Sequence, residues 1–165
     1  MANTLAEPLI RVFELADRAA IEEMAGEVVQ SGEMFVYKSV EPVMDYWIGP
    51  EISTFMVVDE VGVALATYAL KANQPGRGSH VANAGYMVHS SARGRGLGRL
   101  MCVHSIELAR EMGFHSMQFN MVISTNLPAI RIWEELGFRV VGTLPKVFRH
   151  PELGLVDSLV FYREL

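Results

Sequence analysis

The chain has 165 residues and a mass of 18.3 kDa, a size that suits one domain burying roughly two thirds of the surface that its unfolded form exposes. Apolar residues make up 50% and charged residues 20% of the chain, and the mean hydropathy is +0.21, which excludes a disordered, collagen-like or fibrous protein. Its 19 acidic and 14 basic residues give a net charge of -5, which disfavours a broad electrostatic contact with nucleic acid or anionic lipid. We expect one domain over residues 1–165, with no nucleic-acid or membrane partner.

The cysteine usage and the amino-terminal pattern predict a cytoplasmic protein. Cys102 is the only cysteine, so no internal disulfide can form, and residues 1–10 lack the basic start and long apolar run of a signal peptide. No apolar stretch approaches the roughly 18 residues of a membrane-spanning helix. The histidines show no metal-ligand spacing and no zinc, serine-triad or P-loop motif occurs, so we expect no metal.

The amino-terminal half predicts helices and antiparallel strands. Asp17 is a plausible N-cap, and β-branched and aromatic residues mark the strands of a hairpin. The predicted elements are a strand over 9–15, a helix that begins after Asp17 and ends near Gly32, a helix over 41–47, strands over 54–58 and 63–69 joined by a turn, and a polar loop over 71–79.

The carboxy-terminal half alternates strands and helices with short connections, which is typical of an α/β domain. No repeat or Pro/Ser-rich linker divides the chain. The predicted elements are a strand over 80–88, a helix over 97–112, a strand over 115–122, a helix over 127–136, and strands near 138–141 and 156–162.

A glycine-rich turn lies between the strand over 80–88 and the helix that follows it. Without Cβ atoms the backbone can approach a ligand closely, and the free amides of a helix N-terminus favour phosphate. Three arginines make this the one concentrated basic site of an acidic chain, as a diphosphate ligand would favour. Alternatively, the glycines only form a tight turn; a Rossmann fingerprint fits poorly because the spacing is GxGxG. The residues of the glycine-rich turn that we expect to bind a ligand are Arg93, Gly94, Arg95, Gly96, Gly98 and Arg99.

Two spaced motifs occur in order along the carboxy-terminal half. Arg93, Gly96 and Gly98 match the pattern R/Q-x-x-G-x-G/A after a strand, and residues 126–138 match N-x-x-A-x-x-x-[YW]-E-x-x-G-F. Together they resemble the GNAT superfamily of N-acetyltransferases. The resemblance implies a mixed α/β single-domain fold, with a central sheet of about seven strands splayed in the middle and about four flanking helices. It also implies an N-acetyltransferase that uses acetyl-CoA as cosubstrate and acetylates a small-molecule amine by direct attack.

The same resemblance assigns roles to residues around the glycine-rich turn. It places the diphosphate on the turn and the pantetheine arm along the end of the preceding strand, at Met87 and Val88. A backbone amide near Val88 would stabilise the oxyanion as the amine attacks. Trp133 stands where the family often has a tyrosine as general acid, and we expect this indole to pack on the apolar helix face. The strand carboxylate that is frequent in the family is also missing.

Asparagines stand near the positions where carboxylates and a tyrosine are absent. An amide inside a strand needs a partner, because leaving it buried and unpaired costs about 1 to 3 kcal/mol. We expect Asn83 and Asn120 to reach the splay and bind substrate, with Asn120 orienting the substrate or the tetrahedral intermediate; alternatively, each only ties down a loop or a sheet edge. Asn126 is a predicted N-cap, and the resemblance also places it beside the pantetheine or the reacting centre.

Three further features occur along the same half of the chain: FNxVxxTN at residues 119–126, RIWExLGF at residues 131–138, and Val156, Asp157 and Tyr162. They resemble the acetyltransferases that modify azetidine-2-carboxylate and related proline analogues. This resemblance implies a small amino acid or related amine as acceptor, while a protein N-terminus, an aminoglycoside and a polyamine remain open.

Other classes of function remain open beside acetyl transfer. The missing tyrosine and strand carboxylate are compatible with a CoA-binding module without catalysis, and the fold could also serve as an interaction scaffold. Cys102 lies in the apolar zone of its helix, where most cysteines are inert packing residues, so direct transfer is simpler than a covalent cysteine intermediate. An exposed sheet edge or the apolar strand over 158–162 could support a homodimer.

Overall fold

Seven strands form one mixed sheet in the computed structural model, which describes residues 7–165. Their order across the sheet is first, second, third, fourth, fifth, seventh and sixth, and every neighbouring pair is antiparallel except the fourth and fifth. The strands are β1 (Leu9–Val12), β2 (Ser53–Val58), β3 (Ala64–Ala72), β4 (Val81–Val88), β5 (Ser116–Ile123), β6 (Arg139–His150) and β7 (Gly154–Glu164).

Four α-helices flank the sheet within the described residues. The first ends at Ser31 and is capped by Gly32, which has a left-handed φ of 65° and donates its N–H to the Val28 carbonyl at 3.2 Å. No helix in this part of the chain has the length and apolarity needed to cross a membrane. The helices are α1 (Arg18–Ser31), α2 (Val40–Trp47), α3 (Leu97–Glu111) and α4 (Leu127–Glu135).

Apolar clusters on the two faces of the sheet hold the helices in place. Successive strand residues point to opposite faces, so Tyr68 of β3 is buried in the cluster that includes α3, and Ala69 in the one that includes α1 and α2. Trp47 of α2 is fully buried, and its indole N–H donates to the Thr67 hydroxyl at 3.1 Å. The two helical layers therefore cover opposite faces of β3 and β4.

The sheet opens between β4 and β5. These parallel strands pair only at Val81 with Ser116 and at Ala82 with Met117. Beyond this pairing they separate, and residues 83–88 of β4 line one side of what we call the opening. On the other side, β5 has a bulge against β7 between Phe119 and Val122, a distortion that is common beside functional sites.

The mixed α/β fold with a splayed seven-stranded sheet and four helices confirms the expectation from sequence. The first strand is shorter than predicted and ends at Val12 rather than Leu15. Asp17 is the reason, because its carboxylate accepts the Glu14 N–H at 2.8 Å and binds Arg11 at 2.7 Å, which starts a short 3-10 helix at Leu15.

The last two strands are longer than predicted. β6 continues past Gly142 and Pro145, although these residues disfavour a regular strand. The pairing of β6 with β7 shifts register at both places, so the two strands remain paired beyond them. Lys146 adopts a φ of 56° there, and its N–H donates to the Asp157 carboxylate at 2.8 Å.

The position of β7 removes one expected dimer surface. β7 lies between β5 and β6, so the apolar strand over 158–162 is covered within the chain. The free edges of the described sheet are β1 and β6, and a homodimer through one of them stays a prediction.

Candidate active site

Within residues 7–165, the edge of β4 that faces the opening carries backbone groups without a strand partner. The His89 N–H donates to the Leu65 carbonyl of β3 at 2.9 Å, and strand residues alternate the direction of their backbone groups. Tyr86 and Val88 therefore direct their N–H and C=O groups towards β5, which has already separated from β4. Such groups can pair with an extended ligand or donate to a developing oxyanion.

Met87 is placed differently from its two neighbours. It pairs with Thr67 of β3, and its side chain is 2% exposed in the cluster beneath α1 and α2. A ligand lying in the opening would thus meet the backbone of Tyr86 and Val88 on either side of it.

The glycine-rich turn leaves open space above its backbone. Gly94 and Gly96 both have a φ of 75°, and a Cβ atom at either would meet no atom within 4 Å. Gly98 is different, because its Cβ would lie 3.4 Å from the Ile132 side chain of α4. Close helix packing therefore explains only Gly98, whereas the other two glycines serve the left-handed turn and the free N-terminus of α3.

The arginines of the turn are exposed, and only one of them has a carboxylate partner within the described residues. Arg99 donates to Glu135 of α4 at 2.5 Å. Neither Arg93 nor Arg95 lies within 4.0 Å of a carboxylate of residues 7–165. Two cations beside an open helix N-terminus form a site that attracts a polyanion.

Helix α1 contacts His89 and Ser90, which lie between β4 and the glycine-rich turn. The carboxylate of Glu27 accepts the N–H and the hydroxyl of Ser90 at 2.8 and 2.5 Å, and the His89 ring lies 3.6 Å from it. Burial raises the pKa of Glu27, but the two hydrogen bonds from Ser90 and the nearby positive charge of Arg93 act in the opposite direction, and the pKa is lowered below its ordinary value. This contact fixes the direction in which the chain leaves Val88.

Four amide side chains form a cluster at the other end of the opening. The Oδ1 atom of Asn73 accepts hydrogen bonds from the amide nitrogens of Asn83 at 3.1 Å and Asn120 at 2.7 Å. Gln118 in turn donates to Asn120 at 2.9 Å. The amide cluster (Asn73, Asn83, Gln118 and Asn120) thus joins β3, β4 and β5 where β4 and β5 no longer pair.

The structure brings Asn83 and Asn120 together as expected, but Asn120 is not buried. It lies in the β5 bulge beside Met121, and both residues are exposed. The expectation that Asn120 is a buried amide was therefore wrong, and its partners are amides at the surface of the opening. The sequence pattern does not single out Asn73 or Gln118. Asn73 falls in a stretch predicted as loop, but its N–H pairs with the Val81 carbonyl at 2.7 Å and continues the β3 ladder.

Lys71 and Tyr46 border the amide cluster. Lys71 is the register partner of Asn83, and its ammonium lies 3.7 Å from the centroid of the Tyr46 ring. Helix α2 reaches β4 closely at Gly85, where a Cβ atom would lie 2.9 Å from the Trp47 ring. The absence of a side chain at Gly85 therefore lets α2 form a wall beside the cluster.

Trp133 packs on the apolar face of its helix and Asn126 caps a helix, as the sequence predicts. Trp133 is 7% exposed, and its ring lies 4.8 Å from that of Phe119 and 5.1 Å from that of Tyr86. The Asn126 side chain caps α4 by accepting the Ala129 N–H at 3.4 Å. Any contact of Asn126 with a ligand stays a prediction.

The thiol of Cys102 and the phenol of Tyr86 near the opening are poor proton donors. Cys102 is fully buried, and burial raises the pKa of its thiol to about 12. Burial also raises the pKa of Tyr86 well above its ordinary value, and its hydroxyl is paired with Ser105 at 2.7 Å. Cys102 is therefore a packing residue, as expected.

Comparison with known proteins identifies the family. The model of the Acetyltransferase (GNAT) family matches residues 19–138. A GCN5-related N-acetyltransferase from Kribbella flavida is 40% identical, with a TM-score of 0.91 over 96% of this chain and 98% of that chain. The structure of yncA from Salmonella typhimurium with its cofactor acetyl-CoA is 24% identical, with a TM-score of 0.82 over 97% of this chain and 95% of that one, and shares the fold.

A fungal relative covers a similar stretch of sequence. N-acetyltransferase aca1 of Schizosaccharomyces pombe is 34% identical over 113 residues, 68% of this chain and 54% of that protein. The chain thus spans about half the length of this relative. With the family model matching well over half of its residues, the chain belongs to the GNAT family of acetyltransferases.

Proposed function

We propose that the protein is an acetyl-CoA-dependent N-acetyltransferase whose acceptor is a small amino acid or related amine of the proline-analogue class. One observation carries the proposal: β4 brings three features together along one opening. The amide cluster lies at Asn83, the unpaired backbone groups at Tyr86 and Val88, and the open glycine-rich turn directly after the strand. Membership of the GNAT family supports acetyl transfer as the reaction.

The residues present fit acetyl-CoA. The open space above Gly94 and Gly96 leaves room for a diphosphate close to the backbone, and Arg93 and Arg95 supply the opposite charge. The Tyr86 and Val88 backbone groups would hold the pantetheine arm, and the yncA structure holds acetyl-CoA in the same fold. When bound, acetyl-CoA supplies a thioester whose acetyl carbon is open to attack by an amine.

The side chains at the opening orient reactants but do not exchange protons readily. The Val88 N–H donates to developing negative charge, Asn83 holds the acceptor, and Asn120 orients the acceptor or the tetrahedral intermediate through its neutral amide. The amide cluster offers no base, so the acceptor is used in its neutral amine form. With Cys102 inaccessible, attack by the amine is direct.

An amine panel tests the proposal. Release of CoA from acetyl-CoA would be followed with azetidine-2-carboxylate, proline, a polyamine, an aminoglycoside and a peptide with a free N-terminus, alongside calorimetric titration with CoA. We expect amine-dependent release that is fastest with the cyclic amino acids. CoA binding with no amine-dependent release would overturn the enzyme in favour of a binding module, and no CoA affinity would favour a scaffold.

A further inference from the structure

We infer that Lys71 binds the carboxylate of the acceptor, so that the site selects amino acids over amines that lack an acid group. This inference rests on the proposed function and names the residue that sets its substrate class. In this inference the Lys71 ammonium makes a charge-assisted contact with the carboxylate of the acceptor. The amides of the neighbouring cluster bind the other polar groups of the acceptor.

The strand register places Lys71 on the face where the amide cluster lies. Its Cα partner across the β3–β4 ladder is Asn83. Asn73 is two residues further along the same strand direction, and residues two apart share a face at a spacing of about 7 Å. The Lys71 side chain therefore leaves β3 on the face of the sheet that carries both asparagines.

Tyr46 holds this ammonium in one position. Nζ of Lys71 lies 3.7 Å from the ring centroid, a cation–π contact that orients the cation without neutralising it. Tyr46 itself is held against Trp47, with 5.5 Å between the ring centroids. A lysine on a flexible stem is thus restrained at the wall of the opening.

The charge of Lys71 is uncompensated within the described residues. No carboxylate oxygen of residues 7–165 lies within 4.0 Å of its ammonium. The side chain is only partly exposed, and burial lowers the pKa of Lys71. Burial removes part of the hydration that stabilises the ammonium. A bound carboxylate would replace this hydration with a direct electrostatic interaction, which favours binding of an acid.

A role as general base would leave a different kinetic signature. A base acts on every amine, so its removal lowers kcat for acceptors with and without a carboxylate. A carboxylate anchor acts through acceptor binding, so its removal raises KM for the acids only. Comparing matched acceptors therefore separates the two roles.

The experiment pairs acceptors and variants. Azetidine-2-carboxylate is compared with azetidine, and proline with pyrrolidine, using the wild type, Lys71→Met, Lys71→Arg and the control Lys38→Met at an exposed lysine before α2. We expect the wild type to prefer each acid, and Lys71→Met to raise KM for the acids by roughly 10- to 100-fold with kcat nearly kept. Lys71→Arg should retain part of the preference, and Lys38→Met all of it.

Three outcomes overturn the inference. Equal use of acid and amine by the wild type does so, as does an equal loss with both acceptors in Lys71→Met. A wild-type enzyme that cyclobutanecarboxylate does not inhibit competitively also overturns it, and this measurement needs no folded variant. Turnover of none of these amines or the wider panel would instead defeat the proposed function, and the inference with it.

Discussion

The carboxylate of Glu27 on α1 accepts two hydrogen bonds from Ser90, one from the Ser90 N–H at 2.8 Å and one from the Ser90 hydroxyl at 2.5 Å. The lowered pKa of Glu27 makes this contact dependent on pH. A carboxylate whose folded pKa lies below its unfolded value stabilises the fold above the unfolded pKa, near 4.3, and the contribution is lost as pH falls through the folded pKa. We expect Glu27→Gln to cost about 1 kcal/mol at neutral pH.

Thermal unfolding between pH 3 and pH 7 checks this prediction. The difference in stability between wild type and Glu27→Gln should shrink as the solution becomes more acidic. Glu22→Gln, at an exposed position on the same helix, is the control and should follow the wild type. A difference that is constant with pH would contradict the assigned role of Glu27.

Gly96→Val should weaken CoA binding by at least about tenfold, because the left-handed turn resists a β-branched residue and the side chain fills the open space above it. Gly113→Val is the matched control. Gly113 follows the other end of α3, has a φ of 83°, and also has nothing within 4 Å of its Cβ position. Calorimetric titration should show weakened CoA binding in Gly96→Val only. Unchanged affinity in a folded Gly96→Val would remove the turn from the CoA site.

Trp133→Phe should keep much of the catalytic rate. The indole is packed against Phe119 and Tyr86, and phenylalanine preserves most of that aromatic contact at a modest cost in stability of about 1 kcal/mol. Steady-state turnover and a melting curve measure the two effects separately. A folded variant with normal CoA affinity but a rate lowered by about 10² or more would show that the indole N–H takes part in catalysis.

Asn120→Ala should lower turnover by about 10² to 10³, the scale of losing one donor to a developing oxyanion, with little change in CoA affinity. Because Asn120 is exposed in the bulge, its truncation should scarcely change the melting temperature. Met121→Ala, at the other exposed residue of the bulge, is the control and should keep its rate. Near-native turnover of Asn120→Ala would leave it as a structural link between β3 and β5.

The sequence predicts the strands and helices well where local pattern determines them. The glycine-rich turn, the N-cap at Asn126 and the packing of Trp133 follow from spacing and residue type, and the structure confirms that turn, cap and packing. The contacts of the amide cluster do not follow in this way. Asn73 and Asn120 are 47 positions apart, and only the sheet order brings their side chains together.

Side-chain contacts and strand pairing also decide the limits of the elements that were predicted with wrong bounds. The turn at Leu15 depends on Asp17 and Arg11, which join residues on both sides of a strand end. The continuation of β6 depends on pairing with β7 across a register shift. The sequence likewise predicts Lys71 as the start of a polar loop. In the structure it is a strand residue, because it pairs with Asn83 and its ammonium contacts the ring of Tyr46.

The bulge in β5 divides the strand into residues that pack in the apolar core and residues that are exposed at the opening. Phe119 and Val122 belong to the same apolar cluster although they are three positions apart, whereas regular alternation would place them on opposite faces. The extra residue restores their common face and leaves Asn120 and Met121 outside the core. Position 121 can therefore change without loss of packing, so this exposed part of β5 is free to vary in sequence while the sheet stays intact.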